Sequence, residues 1–317
     1  MSDEHTGELG PFLRTRRARL TPQAMGLTSY GARRVPGLRR EELALLAGVS
    51  PTYYTRLEQG QSSNASPAVI DALARALRLT DDERAHLHDL ARPVARRRRR
   101  APRPEHASPS SVRLIEAMPA VPALVLGPRT EVLAWNRLGH ALLAGHHDPA
   151  APARPADRPN LTRMLFLDPH TRDLYPDWAT EAARAVASLR LIAGRRRDDP
   201  RLAELVGELS LNSAAFATLW SQHPVQTCVA GTKTLRHPEV GELDLEFHVL
   251  DLPDGSGHRI FTYTAAPGSA AEAALRLLDT AIDLAPAGVS ATKATTGGIP
   301  GRRIGACGSD GTARSPW

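Results

Sequence analysis

The segment Leu38–Gly60, LRREELALLAGVSPTYYTRLEQG, constrains the fold more than any other part of the chain. Leu43, Ala47, Tyr54 and Leu57 fall on the inner faces of two short helices. Ala44 is small enough to let those helices approach closely. Gly48 follows the first helix, where a positive φ is needed to turn the chain. Val49 points back into the core. Ser50 is placed to accept a hydrogen bond from a free backbone N–H of the second helix, and Pro51 suits its first position. Thr52, Tyr53 and Arg56 then project from the leading turns. The pattern is a helix-turn-helix, whose second helix enters the major groove, and it makes double-stranded DNA the expected partner.

The surroundings extend the reading. Residues 8–20 form an amphipathic helix ahead of the motif. SPAVIDALARALRL (66–79) forms another, with Ser66 as N-cap and Pro67 at the first position. TDDERAHLHDLA (80–91) forms a fifth, with Thr80 as N-cap and acidic residues at the positive end of the dipole. Residues 1–92 are therefore expected to be an all-α, five-helix, repressor-like domain. The loop 21–37 is long for such a domain; its Arg33 and Arg34 either touch the DNA backbone or are solvated.

This segment resembles the phage-repressor or Xre type of helix-turn-helix, through its LAGVS core and its RLEQG ending. The resemblance implies an ion pair between Arg17 and Glu58 that braces the first helix against the recognition helix. It implies DNA contacts from Arg39, Arg40, Ser50, Pro51, Thr52, Tyr53 and Arg56. Arg40 stands where many members carry Gln, which implies a charged phosphate contact. Pro51 and Thr52 replace the amides that often read adenine, so no base preference is carried over. A homodimer is implied by the same likeness.

Charge supports a polyanionic partner for the first half. Residues 1–110 hold 19 Lys and Arg against 12 Asp and Glu, while residues 111–317 hold 21 against 22. The excess sits on the half that would meet DNA, so binding should weaken steeply with salt. Two residues are Lys (Lys233 and Lys293) and the other 38 basic residues are Arg, which reads as genome composition. No apolar run reaches membrane-spanning length and no signal peptide is evident. Cys228 and Cys307 give neither a disulfide framework nor metal-ligand spacing. A cytoplasmic protein with no membrane partner is expected. Residues 93–111 read as an Arg- and Pro-rich linker, whose Arg96–Arg100 run either adds phosphate contacts or is a solvated spacer.

The second half, assigned to 112–284, mixes strands and helices. Ala123–Leu126 and Glu131–Trp135 are short β-like runs around a Gly-Pro turn, and a helix follows from Asn136. Residues 226–236, 241–252 and 258–265 also read as strands. In the second, Leu243, Leu245, Phe247 and Val249 alternate with Glu242, Asp244, Glu246 and His248, which is a sheet with one buried face. Residues 177–194 and 199–223 read as helices opening at Asp177 and Asp199. Residues 268–284 read as a helix with Leu275, Leu278 and Ile282 on one side, which either packs on the sheet or pairs between subunits. The class is α+β with an antiparallel sheet, resembling a PAS domain. Residues 285–317 lack periodicity and read as disordered.

The strings VPGLRREELALLAGVS, YYTRLEQG, VLAWN, NLTRMLFLDP, DWATEAARAVASLR, DPRLAELVGELS, FATLW, GTKTLRHPEVGELDLEF and YTAAPGS occur in the order and near the spacing of the MmyB-like regulators. The chain resembles that family, which implies a transcription regulator whose C-terminal domain senses a small apolar molecule, with fatty acids as the proposed class. Trp135, Leu165, Phe166, Trp178, Leu189, Phe216, Leu219, Trp220 and Phe247 are candidate lining groups. Asn136, Arg190 and His237 are polar candidates within apolar surroundings. Arg190 either meets a carboxylate head group or pairs internally with Glu181 or Asp199, the internal pair being favoured. The alternative function is a DNA-bound adaptor that recruits a protein through the second domain without a ligand.

No enzyme, cofactor or metal site is expected. His86 and His88 lie two apart on a helix and do not share a face. His146, His147 and Asp148 read as a solvated group in a Pro/Ala-rich loop. Cys228 has no activating motif beside it, and GxSxG, HExxH and phosphate-cradling Gly loops are missing from the sequence. The flexible linker argues against rigid transmission between domains and favours dimer geometry as the relay.

Overall fold

The computed structural model describes residues 8–27, 37–61, 65–92 and 105–284. Arg33, Arg34, the Arg96–Arg100 run and the tail 285–317 lie outside the described residues.

The first domain is helical: α1 (Leu9–Arg19), α2 (Arg40–Ala47), α3 (Pro51–Glu58), α4 (Pro67–Ala76) and α5 (Asp81–Ala91). Local chemistry sets each start. Ser50 Oγ accepts from Tyr53 N at 3.1 Å and Ser66 Oγ from Val69 N at 3.4 Å. Thr80 and Glu83 form a reciprocal capping box at α5. Gly48 turns α2 into α3 at φ 66°. Gly10 has a different role: a Cβ there would lie 2.2 Å from the carbonyl oxygen of Glu58, so α1 crosses the end of α3 at backbone contact. Phe12, Leu13, Leu38, Leu43, Tyr54 and Leu57 are wholly buried in the shared core.

The second domain begins at α6 (Pro109–Glu116), followed by β1 (Ala123–Leu126), β2 (Val132–Trp135) and α7 (Arg137–Ala144). Five helices come next: α8 (Leu161–Leu167), α9 (Pro169–Leu174), α10 (Trp178–Arg195), α11 (Pro200–Asn212) and α12 (Ala214–Ser221). Strands β3 (Ala230–His237), β4 (Gly241–Asp251) and β5 (Arg259–Thr264) precede α13 (Ala270–Leu284). The sheet is antiparallel in the order β2-β1-β5-β4-β3, a PAS-like arrangement. On β4, Leu243, Leu245 and Phe247 are buried and Glu242, Asp244, Glu246 and His248 exposed, as alternation requires. The buried face of α13 lies on β4 and α7, with Leu275 and Leu278 in the core, so this helix packs on the sheet.

Three local readings change. The helix expected over 199–223 is two helices, because Ser213 ends α11 and its Oγ caps α12 through Phe216 N at 3.2 Å. Residues 109–111, expected within the linker, open α6 under a Ser108 cap. Glu105, just before it, pairs with Arg129 at 3.2 Å.

The largest correction concerns the domain junction. The two domains pack directly, α10 against α5. A Cβ at Gly194 would come within 2.6 Å of the His86 ring, so only glycine lets α10 approach this closely. Arg190, 2% exposed, donates to Glu8 at 2.6 Å and to the backbone oxygen of Trp220, with its guanidinium 3.8 Å from the Trp220 ring centre. Arg16 donates to His223 O at 2.7 Å, and Arg197 to Leu90 O at 2.9 Å. Thr227 bonds Asp82 through both its N–H and its hydroxyl. Rigid transmission, disfavoured from the linker, has a physical path. Among the described residues, no helix is long and apolar enough to cross a membrane.

The junction carries an acid sensitivity. Burial, then the neighbouring Arg190 and Arg16, lower the His86 pKa from 6.5 to about 3. The same causes lower His223 to about 4. Unfolding lets both rings take up protons at their ordinary values, so their contribution to stability is complete above about pH 6.5 and lost as pH falls toward 3–4. Denaturant unfolding between pH 7 and pH 4 should show this loss, and His86→Leu should flatten it. An identical pH profile in the variant contradicts the assignment.

Candidate DNA interface and ligand cavity

At the start of α3, Ser50, Pro51, Thr52 and Arg56 are exposed, and Tyr53 is half-buried against the core. Arg39 is exposed at the N-cap of α2, its N–H held by Glu42 at 2.6 Å. The helix thus presents Thr52 and Arg56 outward while Tyr54 and Leu57 anchor it.

Behind this surface lies the ion pair implied by the sequence. Arg17 donates from Nε and Nη2 to the two Glu58 oxygens at 3.0 and 2.9 Å, and from Nη1 to Leu38 O at 2.6 Å. Burial pushes the Glu58 carboxyl up, but the hydrogen bonds and charge of Arg17, with the hydrogen bonds of Arg40, outweigh it and hold the pKa below the ordinary value. Arg40 departs from its expected place. It binds Glu58 Oε1 through Nε and Nη2 at 3.1 and 3.0 Å, so its guanidinium braces α2 against α3 instead of standing free for phosphate. The shared carboxylate explains this: Glu58 is wholly buried and has acceptor capacity left after Arg17.

A cavity of about 110 Å³ opens in the second domain between α8–α10 and the sheet. On this scale a single water takes roughly 10–15 Å³. Of the candidate ligand residues, Leu165 and Phe247 line it. The others are placed elsewhere. Phe166, Trp178, Phe216 and Trp220 form a separate aromatic cluster, with ring centres 5.2–5.5 Å apart in successive pairs. Trp178 Nε1 donates to Leu165 O at 2.8 Å. Trp135 packs on His140, and its Nε1 donates to Pro149 O at 2.9 Å. Asn136 is a structural hub: its Oδ1 accepts from Ala123 N and Gly139 N, and its Nδ2 donates to the carbonyls of Ile115, Met118 and Val121. His237 satisfies a turn through Ala141 O and Glu239 N. Arg190 does pair internally, but with Glu8 across the domain junction and not with Glu181 or Asp199.

Sequence reasoning missed the polar groups of the cavity. Lys233 Nζ lies 2.5 Å from Glu181, whose other oxygen accepts from Arg184 at 2.8 Å. The Lys233 ammonium also lies 4.9 Å from the Phe247 ring centre and 5.7 Å from those of Tyr175 and Phe261. One signal was available: an isolated lysine within the folded part of an arginine-rich chain. On β5, Arg259, Phe261 and Tyr263 alternate onto the cavity side. Arg259 differs from the other cations here. Among the described residues, its side chain has no hydrogen bond and no carboxylate within ion-pair distance. Burial lowers its pKa, against longer-range attraction from Asp251 and Glu131.

Residues 107–278 match the family model of the MmyB-like transcription regulator ligand binding domain. Residues 8–87 match that of a helix-turn-helix domain. No curated protein matches the chain.

Two substitutions should separate reading from bracing. Arg56→Ala should keep the fold and lose discrimination at one base pair by about 1–3 kcal/mol. Glu58→Ala strands buried positive charge and should cost about 3–5 kcal/mol of stability. Binding across a randomised DNA library and denaturant unfolding check them. Unchanged relative affinities in Arg56→Ala contradict the base-reading role.

Proposed function

The chain belongs to the MmyB-like transcription regulators, a DNA-binding helix-turn-helix domain joined to a ligand-binding domain, and on that premise we propose that its ligand is a small apolar carboxylate, a fatty acid of short or medium chain. The observation that carries this is Arg259, a cavity-lining residue whose side chain has no hydrogen bond and no ion-pair partner among the described residues. Such a group in an apolar surround is stabilised by an anionic head group that makes charge-assisted hydrogen bonds. Leu126, Leu143, Leu161, Phe247 and Phe261 suit the chain. The volume favours a molecule of on the order of ten heavy atoms.

The protein acts on DNA as a cytoplasmic homodimer, each copy placing α3 in the major groove. Arg56 and Thr52 reach base edges, while Arg39 holds phosphate. Ligand control runs along α10. Its first half lines the cavity through Glu181, Arg184, Ala185 and Ser188, and its second half meets the first domain, with Gly194 and Arg195 on α5 and Arg190 on Glu8 ahead of α1. A ligand that favours one setting of α10 thereby favours one placement of the DNA-binding domain. The cavity is read as a sensor and not a catalytic centre. Burial raises the Cys228 thiol pKa, which disfavours the nucleophilic thiolate.

Native mass spectrometry before and after organic extraction, followed by titration with octanoate and octanol, tests the reading. Octanoate should bind more tightly than octanol. Arg259→Gln should erase that preference, a loss of about ten- to a hundredfold for a hydrogen bond to a charged group. Equal binding of acid and alcohol contradicts the head-group assignment. A bare protein that binds neither supports an adaptor.

A further inference from the structure

The turn after α7 holds a group of histidines that neither the DNA surface nor the cavity uses. His146 and His147 follow Gly145, and the chain folds so that they meet Asp168 and His170 at the start of α9. The ligand atoms of His146, His147 and Asp168 all lie within 4.8 Å of one another. The imidazole rings of His147 and His170 sit 4.2 and 4.1 Å from that of His146. Asp148, the neighbour in sequence, is not part of the group; it pairs with Arg154 at 2.7 Å.

Ordinary packing accounts for part of this cluster. His146 Nε2 lies 2.6 Å from Asp168 Oδ2, which is a sufficient ion pair or hydrogen bond. It does not account for His147, whose Nε2 is buried without a hydrogen-bond partner. Leaving such an atom unpaired costs about 1–3 kcal/mol. Asp168 is meanwhile held in place: Oδ1 accepts from His170 N at 3.0 Å, and Oδ2 from the Thr171 hydroxyl at 2.7 Å. A carboxylate fixed by such outer contacts is pre-oriented as a metal ligand.

We propose that His146, His147 and Asp168 bind a divalent transition-metal ion of the zinc type, with His170 closing the coordination shell. Imidazole nitrogens with one carboxylate suit zinc, whereas magnesium and calcium require oxygen-rich sites. Tetrahedral bonds of about 2.0–2.1 Å place neighbouring ligand atoms roughly 3.3 Å apart. The wider pairs must draw in by roughly 1.5 Å to reach that spacing, which side-chain rotation supplies. The ion ties the turn after α7 to the start of α9. Thr171, which donates to Asp168, also lines the cavity, so the site stiffens one cavity wall.

The test uses the full-length, tag-free protein after dialysis against a chelator. Calorimetry with zinc chloride should give one ion per chain, and cobalt(II) should develop visible absorption bands. Zinc should also raise the thermal midpoint. His147→Ala removes no hydrogen bond at Nε2 and should keep the fold while weakening zinc by at least about tenfold, the size that even a lost outer contact costs. His146→Ala with His170→Ala should abolish the cobalt bands, which keeps the test valid if His147→Ala folds poorly. His248→Ala, exposed on β4, should change nothing. Absence of saturable binding to the folded wild type overturns the proposal. So does binding that His147→Ala and the double variant leave unchanged.

Discussion

The close approach of α10 to α5, possible because residue 194 lacks a side chain, fixes the arrangement of the whole molecule. Without it, the two domains would meet only through contacts outside α10, such as Arg16 with His223 and Thr227 with Asp82. With it, a helix that forms one wall of the cavity also bears on the core of the DNA-binding domain. The contact is not merely apolar. Arg190 and Arg16 are both buried at it, each anchored to a backbone oxygen as well as a carboxylate. Breaking such a junction leaves buried charge unpaired, which is more costly than losing surface contacts. The two domains therefore stay in register until something acts on α10 itself.

The DNA-binding surface depends on a second buried centre. Glu58 gathers Arg17, Arg40 and the fringe of Arg14, at 3.5 Å, onto one carboxylate. That gathering sets α1, α2 and α3 relative to one another, and Gly10 allows the crossing.

What was legible in the sequence was local. Ser50-Pro51, Ser66-Pro67, the Thr80 box and Asp177 mark helix starts because their partners lie two or three residues away. The period-two pattern of β4 showed its buried face for the same reason. The Arg17–Glu58 pair came from the family likeness. The cavity was harder, because aromatic content does not separate a lining from a core. Phe166, Trp178, Phe216 and Trp220 satisfy one another, while Phe247 faces empty space beside Lys233. Arg190 found a partner 182 residues away, which no spacing rule could supply. The histidine group failed in the same way: Asp148 is adjacent in sequence, but Asp168 is adjacent in space.

Relay through α10 is most directly tested by hydrogen exchange on the full chain and on Gly194→Val. The substitution places a branched side chain against the His86 ring without touching α3 or the cavity. The account predicts faster exchange in α5 and the second half of α10, with β4 and α13 unchanged. Identical exchange in α5 would contradict it, and would return the relay to dimer geometry.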